Sequence, residues 1–502
     1  MSFEVTERDL AGRIGKFSTR RGAVETPCLM PVVNPVRNIV PPAELKKFGF
    51  DMIITNSYII LKRFKGEKPD VHSITGFDGP IMTDSGAYQL LVYGDIEVSP
   101  EEIIAFQEAI SSDVGVILDI PTGGHATREQ AEFTVEETVR RAEQSMRLRK
   151  DETMLWAGPI QGGRYLDLVE RSAKKMAALD FQTHPLGSPT QFMEEYDYTS
   201  LVDMIVTAKI NLPPERPLHL FGAGHPMMLP LAVALGCDLF DSAAYALFAK
   251  DGRYMTSTRT IRVEDLTELP CSCPVCISHT AKDFVELKPE SEELLTRHNL
   301  YVTAEEIRSI KQALREGSLW EMLETRCRSH PRLYEGFKRL AIYKDYLEGN
   351  DPIIGRRAKG IFIYDDVSAS RPEVMRYKQR ISKRFRRPED KDILVLLPAP
   401  EEKPFNRSEI YLGAKKVLDK DRVHFCFYGE PFGVIPVELA ETFPLSQFES
   451  CKSNDVETEE LKFFVERNKY KKAVMLSNVP IAIQGIKVMG SLEEIKEELV
   501  CE

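Results

Sequence analysis

Eight short apolar runs recur between residues 28 and 241, each ending in a small or polar residue and each followed by a longer amphipathic or polar stretch. In order they are CLMPVV (28–33), DMIITN (51–56), GPIMTDSG (79–86), GVILDI (115–120), MLWAGPIQGG (154–163), FQTHPLG (181–187), PLHLFGAG (217–224) and CDLFDS (237–242). The intervening stretches have helical spacing: in SPEEIIAFQEAI (99–110) Ser99 can cap and Pro100 opens the first turn. Strands alternating with helices predict a parallel sheet, and eight such units predict a closed (β/α)8 barrel, with an open doubly wound sheet as the alternative. In a barrel the pocket is built where the strands end. Asp84, Asp119, Gln161, Gly187 and Asp241 close five different runs, so they are the candidate pocket residues.

The chain is 502 residues long, more than one ordinary domain needs, with 43% hydrophobic and 28% charged residues, the balance of a globular protein. No apolar stretch approaches the roughly 20 residues of a membrane span, and the N-terminus lacks the basic and apolar regions of a signal peptide. A cytoplasmic location is expected, without a membrane partner. The best boundary is Asn350-Asp351-Pro352, giving a catalytic domain at 1–350 and an accessory domain at 351–502. Past it, residues 391–400 and 423–436 read as strand, turn and strand of a smaller α/β domain. The net charge of -11 argues against indiscriminate nucleic-acid binding, yet Gly355–Pro388 carries eleven Lys or Arg against three acids. That run is either a phosphate-contacting surface or a solvated helical face.

Nine cysteines in such a protein do not suggest a disulfide framework, and three of them crowd into Cys271, Cys273 and Cys276. A turn can aim three thiols at one ion, and soft thiolates favour tetrahedral Zn2+. His279 and His298 are the candidates for the fourth ligand. His298 is favoured because His279, three residues after Cys276, is cramped. Three cysteines and a histidine fill all four positions, which describes a structural metal rather than a catalytic one.

Asp84, Asp119 and Asp241 with the Gln161 amide suit a purine. Carboxylates accept from its N–H groups, an amide pairs with its carbonyl edge, and Tyr88 or Phe221 can stack on its face. Ser85-Gly86-Ala87 lets the backbone approach such a ligand, although Asp-Ser-Gly is also a plain turn. A carboxylate pair is equally the equipment for chemistry at an anomeric carbon, one group attacking the sugar and the other moving the proton of the leaving group.

Taken together these motifs resemble the tRNA-guanine transglycosylases of the archaeal type. The similarity runs from about Phe17 to Leu340, through Asp84-Ser85-Gly86-Ala87-Tyr88-Gln89, Leu118-Asp119-Ile120-Pro121-Thr122-Gly123, Pro159-Ile160-Gln161-Gly162-Gly163, Pro185-Leu186-Gly187, His219-Leu220-Phe221-Gly222-Ala223-Gly224-His225-Pro226, Asp238-Leu239-Phe240-Asp241-Ser242 and Cys271-Ser272-Cys273-Pro274-Val275-Cys276. The resemblance implies a TIM barrel with an inserted zinc-binding subdomain at about 265–345. It also implies exchange of guanine at position 15 of the tRNA D-arm for 7-cyano-7-deazaguanine, on the way to archaeosine. By motif, Asp84 and Asp241 match the catalytic aspartates. Ser85 lies in the same motif. Asp119, Gln161 and Gly187 match base-binding positions, and Tyr88 with Phe221 matches an aromatic sandwich. Cys271, Cys273, Cys276 and His298 match the zinc ligands. Asp241 is assigned as nucleophile and Asp84 as general acid/base, with the reverse as the alternative. A homodimer is expected.

Bacterial relatives exchange an aminomethyl-bearing base and place a glutamate shortly after the sixth strand. Here Leu186-Gly187-Ser188-Pro189-Thr190-Gln191 offers no carboxylate before Glu194, which favours the neutral nitrile. Longer archaeal members continue into a basic PUA module, whereas the acidic GSLEEIKEELVCE does not match one. A separate PUA-domain protein is therefore an expected partner. Two other readings are a noncatalytic tRNA-binding subunit, disfavoured by retention of both Asp84 and Asp241, and the related enzyme that acts on the inserted nitrile, which would not need the aspartate pair.

Overall fold

A computed structural model describes residues 2–65, 67–87, 98–287, 290–353, 360–418, 421–451, 458–479 and 482–500. The chain divides into two compact units, Met1–Tyr343 with Asn350–Pro352, and Lys344–Gly349 with Ile353–Glu502. Among the described residues no helix is long and apolar enough to cross a membrane.

The first unit opens with an antiparallel sheet of β1 (Phe3–Asp9), β2 (Gly12–Thr19) and β3 (Gly22–Thr26), a feature the repeating pattern from residue 28 onward does not contain. The eight runs follow as strands: β4 (Cys28–Val33), β5 (Ile53–Asn56), β6 (Ile81–Asp84), β7 (Val114–Val116), β8 (Leu155–Ala157), β9 (His184–Leu186), β10 (Leu218–Leu220) and β11 (Cys237–Ser242). All pair in parallel in the order β8-β7-β6-β5-β4-β11-β10-β9. Parallel bridges Ala157↔Thr183 and Ile160↔Leu186 join the two ends, so the sheet closes into a barrel. Its interior is packed by Met30, Met52, Ile54, Met82, Val114, Val116, Ala157 and Leu239, as a barrel core of this size must be. Phe3, Phe17 and Val24 of the antiparallel sheet join the same cluster.

Ser99 caps the helix Pro100–Ala109 with a full capping box, as its sequence predicts. Beyond β11, a hairpin of β12 (Arg253–Met255) and β13 (Thr260–Arg262) and two short helices lead into the long helix Glu290–Glu316. Gly317 and Ser318 separate Glu290–Glu316 from a second helix, Leu319–Cys327.

In the second unit β14 (Ile361–Ile363) pairs in parallel with β18 (Phe448–Ser450). β15 (Ile393–Pro398), β16 (Val423–Gly429), β17 (Gly433–Pro436), β19 (Lys472–Leu476) and β20 (Lys487–Met489) form a sheet in the order β17-β16-β15-β19-β20. Alternate residues of β15 enter opposite cores: Val395 and Leu397 pack with Ala414, Leu418 and Ile495, while Leu394 and Leu396 pack with Leu461 and Phe464. Helices thus cover both faces, which explains why this strand is apolar throughout.

Candidate active site

The predicted pocket residues gather where the barrel strands end. Asp84 is the last residue of β6 and pairs in register with Asn56, the last of β5. Asn56 caps the helix Ser57–Arg63 by accepting the Ile59 N–H at its Oδ1 (2.9 Å), which turns its Nδ2 toward Asp84 Oδ2 at 3.2 Å. Burial, reinforced by the nearby Asp241 charge, pushes the Asp84 carboxyl up to about 6. The neighbouring Ser85 hydroxyl is buried and meets no hydrogen-bond partner among the described residues. Such an orphan is costly in an empty protein and suits a ligand-facing group.

Asp119 lies three residues beyond the end of β7 and is 4% exposed. Gln161 Nε2 donates to its Oδ2 at 2.6 Å, and the Gln161 carbonyl accepts the Thr122 N–H at 2.8 Å. Burial, then the Asp84 charge, pushes the Asp119 carboxyl up to about 7. Gly187 follows β9 directly, and its backbone packs so closely on the Gln161 amide that any Cβ there would overlap it. Absence of a side chain at 187 therefore sets the amide's position.

Asp241 sits in β11, 8% exposed. Its Oδ1 takes two hydrogen bonds, from His219 Nε2 at 2.9 Å and from the Gly222 N–H at 3.0 Å. Gly222 adopts a left-handed φ of 69°, a turn that glycine allows at little cost. Among the described residues Oδ2 makes no hydrogen bond. Phe221, half-buried, meets the His219 ring edge-on at 4.7 Å. Tyr88 lies outside the described residues. Asn56 and His219 were not singled out from sequence. The one available signal was that His219 stands two residues before Phe221 in the same apolar run.

The sulfurs of Cys271, Cys273 and Cys276 and a ring nitrogen of His298 lie within 4.8 Å of one another. Cys273 precedes the short helix Pro274–Ser278, which carries Cys276, and His298 projects from Glu290–Glu316. His298 Nε2 donates to the Met255 carbonyl at 2.8 Å, so Nδ1 is left with its lone pair, 3.3 Å from Cys276 Sγ and 3.6 Å from Cys273 Sγ. Those separations match the roughly 3.5 Å edge of a tetrahedron with metal–sulfur and metal–nitrogen bonds of ordinary zinc length. The Tyr254 ring stacks on His298 at 3.6 Å, and the next residue, Asn299, accepts the Met255 N–H at 2.9 Å. The histidine is thereby held in the orientation and tautomer a metal ligand needs. His279 is turned to the Val275 carbonyl at 2.9 Å and stands outside the cluster.

The basic run of the second unit splits by partner. Arg371 pairs with Glu373 and Arg376 with Glu348, both buried, and Arg387 reaches the carbonyls of Pro388, Glu389, Lys391 and Asn468. Arg380, Lys383, Arg384 and Arg386 are exposed. Arg356, Arg357 and Lys359 lie outside the described residues.

A family model described as queuine tRNA-ribosyltransferase matches residues 9–332, and one described as a domain of unknown function matches 374–498. The tRNA-guanine(15) transglycosylase of Methanosarcina mazei is 46% identical over 449 residues, covering 88% of this chain and 86% of that protein. The protein of the same name from Methanocaldococcus jannaschii is 46% identical over 480 residues, 93% of this chain and 71% of its own. The Pyrobaculum aerophilum tRNA-guanine(15) transglycosylase is 44% identical over 454 residues, 90% of each.

Proposed function

Because the chain belongs to the queuine tRNA-ribosyltransferase family, we propose that it exchanges guanine 15 of the tRNA D-arm for 7-cyano-7-deazaguanine, through a covalent intermediate on the ribose. One observation carries the reading: two carboxylates at the ends of β6 and β11 stand near enough for the Asp241 charge to help raise the Asp84 carboxyl, yet have different surroundings. Asp84 is poised to gain and lose a proton near neutrality, while Asp241 is held at one oxygen by two donors.

In this mechanism Asp241 Oδ2 attacks the anomeric carbon, the bond from that carbon to guanine breaks, and Asp84 gives its proton to the departing base. The incoming base then yields its proton to Asp84 and attacks the same carbon, and the ester to Asp241 breaks. Asp119, Gln161, Gly187 and Ser85 hold whichever base is present, with Tyr88 and Phe221 against its faces. Zinc is the ion proposed for Cys271, Cys273, Cys276 and His298. Held by those four residues, it would cross-link the fold rather than take part in the reaction. With tRNA as substrate, the proposed location of the reaction is the cytoplasm. A homodimer, and a separate PUA-domain chain that adds tRNA affinity, complete the proposal; sedimentation and tRNA titration with such a chain test them.

The direct test is incubation of the purified protein with unmodified tRNA and labelled guanine. Label is expected to enter the tRNA and to be displaced by 7-cyano-7-deazaguanine. Absence of incorporation would overturn the reading.

A further inference from the structure

His219 is completely buried in the middle of β10, and its Nε2 lies 2.9 Å from Asp241 Oδ1. Its other nitrogen, Nδ1, is also buried and meets no hydrogen-bond partner among the described residues. A proton on Nδ1 would have no acceptor there, whereas one on Nε2 points at a carboxylate, so the ring is a donor to Asp241. Burying a nitrogen without a partner is unfavourable, and an apolar side chain would fill the same place beside Phe221 without that cost. The histidine is therefore not explained by packing.

We propose that His219 is a positioning residue that keeps Asp241 a good leaving group, so that the glycosyl ester does not become a sink. This rests on the transglycosylase reading above. Oδ1 takes the two donors, His219 and the Gly222 N–H, which leaves Oδ2 to form the bond to ribose. In the ester, Oδ1 becomes a neutral carbonyl oxygen and Oδ2 carries the sugar. When the incoming base displaces it, the bond from Oδ2 to the anomeric carbon breaks, its electron pair returns to the carboxylate, and the charge spreads onto Oδ1. Hydrogen bonds to a charged acceptor are stronger than to a neutral one. The donors therefore favour the free carboxylate over the ester, and losing one shifts the balance toward the covalent state. A fully reversible exchange needs that balance, because the same ester is entered and left in each turnover.

The experiment compares His219→Phe, which removes the donor and keeps a buried ring, with His219→Gln, whose amide can donate to Oδ1. The enzyme is mixed with tRNA without added base, and the covalent adduct is read on a denaturing gel. Guanine is then added and the adduct's decay is followed. In His219→Phe the adduct fraction is expected to rise and its decay to slow by about 10- to 100-fold, the range that one hydrogen bond to a charged group carries. KM for tRNA stays within about twofold, since a lost hydrogen bond inside the site does not touch tRNA binding. His219→Gln is expected to recover most of the decay rate. Thermal melting checks that each variant folds, and His219→Asn, too short to reach Oδ1, replaces the Phe variant if that one does not. An adduct fraction unchanged or lowered in folded His219→Phe overturns the inference, as does equal impairment of the Phe and Gln variants. Failure of the unsubstituted protein to exchange guanine overturns instead the functional reading, and the inference with it.

Discussion

Gln161 Nε2 donates to Asp119 Oδ2 at 2.6 Å while the same amide's carbonyl accepts the Thr122 N–H at 2.8 Å, so one side chain ties the acid to the loop beyond it. The acid it holds is pushed up to about 7 by burial and by the Asp84 charge, far above the roughly 4 of an aspartate in an unfolded chain. Between those two values the folded protein keeps a proton that the unfolded chain has released, so this group makes stability fall as pH rises from about 4 to about 7. Asp119→Asn removes that dependence. Its melting temperature is expected to exceed that of the unsubstituted protein at pH 8 and to converge with it near pH 4. Base binding needs the carboxylate as acceptor, so KM for guanine is expected to fall between pH 6 and 8, and the Asn variant to lose that trend. A variant melting curve that tracks the parent at both pH values would contradict this.

The assignment of roles between Asp84 and Asp241 is checked with 9-deazaguanine, which has carbon where the glycosidic nitrogen should be and so can occupy the pocket without completing exchange. Asp241→Asn is expected to retain tRNA binding and give no denaturant-resistant enzyme–tRNA band. Asp84→Asn is expected to keep the nucleophile and to slow departure and entry of base by about 100-fold or more, the usual worth of a proton-transfer group. If Asp241→Asn gave the band and Asp84→Asn did not, the two roles would be exchanged.

Metal removal is expected to act on folding rather than on chemistry. Cys273→Ser with Cys276→Ser should bring zinc content close to zero and lower the melting temperature by at least about 5 °C, since binding energy of a structural metal adds to folding energy. Metal analysis showing full zinc occupancy in that double variant would rule the site out.

For RNA contact, the exposed part of the basic run is the candidate among the described residues. Replacing Lys383, Arg384 and Arg386 with Gln is expected to lower the slope of log K for tRNA against log salt by about 2, each lost phosphate contact contributing about 0.7–0.9. Arg387→Gln is expected to leave the slope alone and reduce stability, because its guanidinium satisfies backbone carbonyls at the turn before β15. An unchanged slope in the triple variant would make the run a solvated face.

The parts of the fold that were legible share one physical origin. Each barrel strand is buried on both faces, so most of its residues are apolar, and the eight runs stand out as a period in the sequence. The place of the candidate residues was legible for a related reason: a polar residue closing an apolar run has to leave the core, and in a barrel the place it leaves toward is the mouth. The same logic located Asp84, Gly187 and Asp241, and less sharply Asp119 and Gln161, which lie past the hydrogen-bonded strand ends. Spacing favoured His298 over His279, and beyond periodicity the motif resemblance supplied the joint pattern and the roles of its residues. The N-terminal antiparallel sheet carries no such period and was not read.

What the amino-acid order alone determined was the set of local commitments: which runs are strands, where they end, which thiols sit close enough to share an ion, and which polar side chains close the runs. What only the tertiary structure decided was partnership. Arg371, Arg376 and Arg387 look like their exposed neighbours in a string of letters, yet two are buried in ion pairs and the third holds a turn. His219 and Asp241 are 22 positions apart and meet at 2.9 Å only because β10 and β11 pair in parallel. Local sequence sets a residue's propensity and polarity, but the energy of a charge or a hydrogen bond depends on what lies within a few ångströms. That distance is settled by chain closure over long separations.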